Sequence, residues 1–237
     1  MLKFDIKDFE NLEEVILKFD IKNFENLEEN NPQSNTCIIH NFEQGSDDWF
    51  IKRLGKITAS NIFNFRGNSK ARTKLIYEKA SEIINGIVPE QITSKDIDRG
   101  KELEPVAREM YQFVTNSKVN EIGFAELNEY VGVSPDGLVA DDGLIEIKCP
   151  RPTGFLYQLI NGYKSIDKLY IYQMQMQMYV CNRQWCDYVI YNENFANSIH
   201  IIRIERDEDI IEEIKEVIER AVSEIKEIIT IYKQRGQ

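Results

Sequence analysis

Two short segments hold residues that can do chemistry together: Ser134-Pro135-Asp136 and Glu146-Ile147-Lys148. In a β-strand, residues two apart face the same side, so Glu146 and Lys148 point together while Ile145 and Ile147 point the other way. Asp141-Asp142-Gly143 is a hairpin turn signal that folds the first segment back beside the second. Pro135 interrupts strand pairing and lets the chain splay at Asp136. Two converging carboxylates repel unless a cation sits between them. With oxygen donors and no soft ligand nearby, that cation should be Mg²⁺ or Mn²⁺. A lysine beside such an ion can orient or deprotonate an attacking water. Spacing alone does not decide the matter, because 29% of the chain is charged. Glu213-Ile214-Lys215 and Glu224-Ile225-Lys226 repeat the pattern, but on a helix, where residues two apart diverge. Read alone, the Asp136/Glu146 hairpin fits a metal site and an ordinary charged surface hairpin equally well.

Other chemistries are excluded more firmly. Cys37, Cys149, Cys181 and Cys186 form no CxxC pair and no Cys/His cluster, which argues against zinc or an iron–sulfur cluster and for reduced thiols. Of the two histidines, His40 and His200, neither stands in a triad-like arrangement. The opening residues have the pattern of neither a signal nor a transit peptide, and no apolar run reaches the roughly 18–20 residues of a membrane span. These features make a cytoplasmic enzyme without a membrane partner the expectation.

The net charge of −11 is unusual for a protein that binds a polyanion, so its distribution matters. Residues 1–30 carry nine acids against four bases, and residues 205–237 carry ten against six. Between Lys52 and Lys74 there are seven bases (Lys52, Arg53, Lys56, Arg66, Lys70, Arg72, Lys74) and no acid. That segment reads either as a local anion-binding surface or as a solvated basic face.

Positioning the hairpin requires a compact α/β domain, expected over 38–237. Upstream, LKFDIKDFENLEE at 2–14 recurs as LKFDIKNFENLEE at 17–29, so 1–30 is read as an acidic tandem-repeat arm and 31–37 as a linker. Ser46-Asp47-Asp48 predicts a helix start, as does Thr58-Ala59-Ser60. Helices are predicted over 72–86, ending at Gly86, over 99–115, starting after Arg99-Gly100, and over 170–180. Strands are predicted at 130–133, 137–140, 144–148, 186–191 and 199–205. From Asp207 onward, apolar residues recur at helical spacing to 232, which predicts a long amphipathic C-terminal helix.

Ser134-Pro135-Asp136-Gly137-Leu138 followed by Gly143-Leu144-Ile145-Glu146-Ile147-Lys148-Cys149-Pro150 resembles the lambda exonuclease family of viral-type recombination nucleases, within the PD-(D/E)xK superfamily. Trp49 with Arg53-Leu54-Gly55-Lys56-Ile57-Thr58-Ala59-Ser60 is similar to the family's phosphate-contacting motif. Gly100-Lys101-Glu102-Leu103-Glu104, with Ala107 and Tyr111, is similar to its first acidic helix, and Gln173-Met174-Gln175 with Met178-Tyr179 to its Gln-x-Gln helix. The resemblance spans about 42–235. It implies a restriction-endonuclease-like core with a mixed central β-sheet flanked by helices and a long C-terminal helix. It implies that Asp136, Glu146 and the carbonyl of Ile147 hold a catalytic Mg²⁺, with Glu104 assisting at a second ion or its waters. Lys148 would activate the water and Gln173 would position the lysine or the water. Arg53, Ser60 and Ser134 would grip a 5′-terminal phosphate, and Ile97 would stand near the wedge that splits a duplex end.

The activity so implied is Mg²⁺-dependent 5′→3′ digestion of one strand of linear double-stranded DNA. It leaves 3′ single-stranded tails for a strand-annealing protein. A homo-oligomer, a trimeric ring around DNA, is implied by the family and not by any sequence symmetry. The tandem arm lies outside the resemblance, and Arg151-Pro152-Thr153-Gly154 departs from the lambda pattern, which leaves substrate contacts there open. Two alternatives stand beside the exonuclease: a restriction-like or structure-specific endonuclease, and a non-enzymatic DNA-end or partner-binding module.

Overall fold

The structure is a computed structural model that describes residues 37–90 and 94–236. The tandem arm at 1–30 and nearly all of the linker lie outside the described residues. The chain runs β1 (Ile38–His40), α1 (Asp47–Arg53), β2 (Ile57–Thr58), a 3-10 segment (Ala59–Phe65), α2 (Lys70–Asn85), α3 (Lys95–Thr115), β3 (Val119–Asn120), β4 (Phe124–Asn128) and β5 (Val131–Val133). It continues through β6 (Gly137–Val139), β7 (Gly143–Lys148), α4 (Pro152–Asn161), a second 3-10 segment (Gly162–Ser165), α5 (Lys168–Cys181), β8 (Trp185–Tyr191), β9 (Ile199–Glu205) and α6 (Glu208–Arg235).

The expected mixed sheet is the five-stranded one, ordered β3-β6-β7-β8-β9, in which only the β7–β8 pair is parallel. A second sheet of four strands, β1-β4-β5-β2, accompanies it. The two predicted strands on either side of Pro135 therefore belong to different sheets: β5 to the smaller and β6 to the larger.

Alternation in β7 sorts its side chains onto two cores. Leu144 packs with Met174, Met176, Met178 and Tyr188 on the face covered by α5. Ile145 and Ile147 pack with Val189, Ala107 and Tyr111 on the face covered by α3. The hairpin is tight at both ends because glycines stand where no Cβ fits. A Cβ on Gly143 would lie 2.1 Å from Cζ2 of Trp185, and one on Gly137 would lie 2.2 Å from Cγ1 of Val119. The left-handed residue of the β6–β7 turn is Ala140, at φ 48°, immediately before Asp141-Asp142-Gly143.

Helix boundaries follow their caps. Ser46 accepts from the Trp49 N–H and opens α1, Gly86 closes α2 in the left-handed conformation, and Asp207 caps α6 through the N–H groups of Asp209 and Ile210. One boundary differs from expectation. α3 begins at Lys95, capped by Ser94, so Arg99 and Gly100 lie inside the helix rather than before it. Burial of Ala107, Arg108 and Tyr111 against the sheet outweighs the weak helix propensity of Gly100. The Thr58-Ala59-Ser60 start yields a 3-10 segment instead of an α-helix.

The acidic C-terminal helix is tied to the basic stretch. Arg72, only 4% exposed, donates to the Phe65 carbonyl and forks onto Glu224 at 2.7 and 2.8 Å. Glu224→Ala strands that guanidinium in the interior, whereas Arg72→Met leaves only a half-exposed carboxylate. We expect Glu224→Ala to cost about 3 kcal/mol and Arg72→Met about half of that. Urea titration of both variants checks the order.

Candidate active site

Ser134-Pro135-Asp136 is the crossing between the two sheets, and several contacts fix it. Nε2 of Gln44 donates to the carbonyls of Ile122 (2.9 Å) and Pro135 (3.0 Å). Nε of Arg108 donates to the Asp136 carbonyl at 3.1 Å. The crossing leaves Asp136 in the place opposite Glu146, one step beyond the Gly137–Ile145 pair. There its Oδ2 accepts from the Ile147 N–H at 2.6 Å, and its Oδ1 accepts from no described residue.

Glu146 is 1% exposed and fully engaged. Its Oε1 accepts from Lys148 and, at 2.6 Å, from Nε2 of Gln173; its Oε2 accepts from Nε2 of Gln177 at 2.8 Å. The two glutamines are one turn apart on α5, which brings both onto the face that covers β7. Lys148 also sits 4.9 Å from the centre of the Tyr170 ring. Glu104, on α3, is held by Nη2 of Arg108 at 2.5 Å, and Nη1 of the same arginine reaches Glu121 at 2.7 Å.

The electrostatics of this cluster are those of crowded negative charge. Burial, then the charges of Glu146 and Glu104, push the Asp136 carboxyl well above the usual carboxylate range. Burial likewise raises Glu104, against the pull of Arg108. Burial opposes the charge on Lys148, but the Glu146 and Asp136 carboxylates outweigh it and hold the side chain as an ammonium ion. Among the described residues, no three Asp, Glu, His or Cys side chains converge on one point, because Glu104 is turned to Arg108. Asp136 and Glu146 remain as a pair.

A second cluster adjoins the first through Ser134. The Ser134 Oγ donates to the Gly123 carbonyl (3.0 Å) and accepts from Nε1 of Trp49 (2.9 Å) and Nη1 of Arg53 (3.3 Å). The Arg53 guanidinium lies over the Trp49 ring, 4.1 Å from its centroid. Burial lowers its pKa to about 10, with Glu82 the opposing influence. Arg53 forms no ion pair with a described residue. Ser60 is exposed on the first 3-10 segment and bonds to the Thr58 hydroxyl at 3.3 Å, so it is near this cluster by the β2–β5 pairing but does not touch it. Ile97 is 44% exposed on the first turn of α3, beside the Asp96–Arg151 ion pair that ties that turn to the chain following β7.

The basic stretch resolves into neither expected reading alone. Lys52 and Lys56 both grip Glu126, at 2.6 and 2.9 Å; Arg66 pairs with Glu213, Arg72 with Glu224 and Lys74 with Glu78. Burial would raise Glu126, yet hydrogen bonds from Lys52, Lys56 and His40 hold it at about 2. Of the seven bases, only Arg53 and Lys70 lack an ion pair with a described residue.

Sequence reasoning passed over Arg108 and Gln177. Each carried a signal, lying four residues from a residue already singled out: Arg108 from Glu104 and Gln177 from Gln173. All four cysteines are free thiols, and Cys149, beside the site, is raised to about 11 by burial, so it is not a thiolate.

A mixed sheet flanked by helices, with an acidic pair and a lysine on adjacent strands, has the fold of a PD-(D/E)xK nuclease. Residues 48–184 match the YqaJ-like viral recombinase domain, and the chain belongs to that family. It is similar to an alkaline exonuclease, LHK-Exo, from Laribacter hongkongensis: 35% identity over 81% of this chain and 98% of that one, with a TM-score of 0.74. LHK-Exo in complex with dAMP matches with a TM-score of 0.75 at the same identity and coverage. A phage-related exonuclease from Haemophilus somnus 129PT shares the fold at 18% identity, covering 75% of this chain and 96% of that one, with a TM-score of 0.63. Comparison with curated proteins yields no match. No helix among the described residues is long and apolar enough to cross a membrane.

Proposed function

We propose that this nuclease is an Mg²⁺-dependent 5′→3′ exonuclease that starts at a 5′-phosphorylated end of linear double-stranded DNA and leaves 3′ single-stranded tails. The observation that carries the end preference is Arg53. It is a half-buried guanidinium with no carboxylate partner among the described residues, seated on Trp49 and on Ser134, two residues before Asp136. A cation kept from its own protein's acids in this way suits a terminal phosphate, which it can meet with charge-assisted hydrogen bonds. Ser134 can add a hydroxyl, and Ser60 lies on the neighbouring 3-10 segment. The similar LHK-Exo is solved with dAMP, a mononucleotide of the kind released when such an end is trimmed.

The residues fit a divalent ion. Asp136 and Glu146 are all-oxygen donors, burial and then the neighbouring Glu146 charge raise the Asp136 carboxyl, and Oδ1 of Asp136 has no donor among the described residues. These two side chains and the Ile147 carbonyl would hold Mg²⁺, with Glu104 at a second ion or its waters. The ion would polarise the scissile phosphate and offset charge as the bond breaks. Lys148, held as an ammonium ion beside Glu146 and Asp136, would donate a hydrogen bond to the attacking water and orient it, and could take the water's proton only after losing its own. Gln173 holds Oε1 of Glu146 at 2.6 Å and so keeps lysine and carboxylate in register. Ile97, exposed on the first turn of α3, would serve as the wedge at the duplex end. The resulting 3′ tails suit a single-strand annealing protein, and a homo-oligomeric ring would retain the enzyme on DNA.

Strand polarity tests the proposal. A blunt duplex carrying a 5′ phosphate on one strand only should lose that strand to 5′ mononucleotides while the other persists as single-stranded DNA. Loss from 3′ ends, or cleavage at internal positions, would refute it.

A further inference from the structure

Gln177 is 0% exposed, and its amide is divided between two fates. Nε2 donates to Oε2 of Glu146 at 2.8 Å, while Oε1 is buried with no hydrogen-bond partner among the described residues. The orientation is forced, because an ionised carboxylate only accepts hydrogen bonds, and turning the amide over would set oxygen against oxygen. A buried carbonyl oxygen without a partner costs stability, and an apolar side chain of similar length would avoid the cost. The uncompensated oxygen is therefore tolerated for the sake of the N–H that faces Glu146.

The neighbouring contacts say what that N–H accomplishes. Lys148 and Gln173 both approach Oε1, so Gln177 is the only described donor to Oε2. Without it the carboxylate of Glu146 is held at one oxygen and can swing about its last torsion. With it both oxygens are fixed from one helix, one turn apart, before any ion arrives. We infer that Gln177 is a positioning residue that pre-orients Glu146 for a divalent cation, and that it sets the affinity of the site for the ion rather than the rate of the chemical step. The inference rests on the metal reading of Asp136 and Glu146 given above. Partners of metal ligands typically change metal affinity by about 10–100-fold when removed.

The test uses the full chain and Mn²⁺ as the probe, without DNA. Gln177→Met keeps the length of the side chain and removes both amide atoms; Gln177→Leu serves as a second variant. Mn²⁺ binding is followed by calorimetry or by loss of the free-ion electron paramagnetic resonance signal, with the melting temperature measured on the same samples. Binding about 10-fold weaker than wild type, in a variant that still melts cooperatively, is expected. On DNA, the Mg²⁺ concentration for half-maximal rate should rise by a similar factor, with most of the rate recovered at saturation. Mn²⁺ binding within twofold of wild type in a folded variant overturns the positioning role and leaves the metal reading intact. Failure of both variants to fold also overturns it, since Gln177 would then be a structural residue. If Mn²⁺ does not bind wild type, or binds Asp136→Asn equally well, the metal reading itself fails, and the inference with it.

Discussion

Lys148→Ala is expected to lower the rate of DNA hydrolysis by about 10²–10⁴-fold, the range over which a positioned acid–base group contributes. The argument is one of geometry and charge. Lys148 shares a strand face with Glu146, touches its Oε1 and is held as a cation by Glu146 and Asp136. In the proposed mechanism its Nζ, already at Oε1 of Glu146, is the group that orients the attacking water. The side chain is half-buried and supports no core, so truncation should leave the melting transition within a few degrees of wild type. DNA-end binding should persist, because Arg53 and Ser134 lie in the adjoining cluster. Single-turnover digestion with binding measured in parallel checks both halves. Retained turnover would remove the lysine from the chemistry, and lost binding would assign it to substrate affinity.

Arg53→Ala should lower kcat/KM on 5′-phosphorylated ends by about 10–100-fold, the value of a hydrogen-bonded charge pair. On 5′-hydroxyl ends it should change kcat/KM by less than about threefold, since no phosphate is there for a guanidinium to meet. The difference between the two substrates matters more than either loss. Arg53 also packs on Trp49 and holds Ser134, and a purely structural role would depress both substrates alike. Equal losses would therefore refute the phosphate role. Arg53→Lys should recover part of the preference, because it restores the charge but not the fork that bonds two oxygens together.

The parts of the fold that were legible in the sequence are those set by local rules. Strand alternation around Glu146, the amphipathic run after Asp207 and the stop at Gly86 each depend on neighbours within a few residues. The start of α3 was misplaced because Gly100 is a weak helix former, while the capping Ser94 and the burial of Ala107 and Tyr111 outvote it. The division into two sheets was not legible either. Nothing near Ser134-Pro135-Asp136 reveals that the strands on either side pair with partners elsewhere in the chain, β4 and β2 on one side and β3 and β7 on the other.

The site divides in the same way. Asp136, Glu146 and Lys148 could be joined from a hairpin and a two-residue spacing, and the structure brings them together. Arg53 and Ser134, 81 positions apart, meet only because α1 packs beside the sheet crossing. Linear order gave no hint that Glu126, Glu213, Glu224 and Glu78 would take five of the seven bases in the basic stretch. Arg53 and Lys70 are left without an ion pair among the described residues, and the proposed phosphate contact falls on Arg53 rather than on a broad basic face.

The most direct measurement is digestion of one duplex sequence in two forms, blunt linear with 5′ phosphates and covalently closed circular, each with Mg²⁺ and with EDTA. The linear form should be consumed only when Mg²⁺ is present, and the closed circle should survive in every tube. Digestion of the linear form in EDTA would contradict the metal site at Asp136 and Glu146, and cutting of the closed circle would contradict entry from an end.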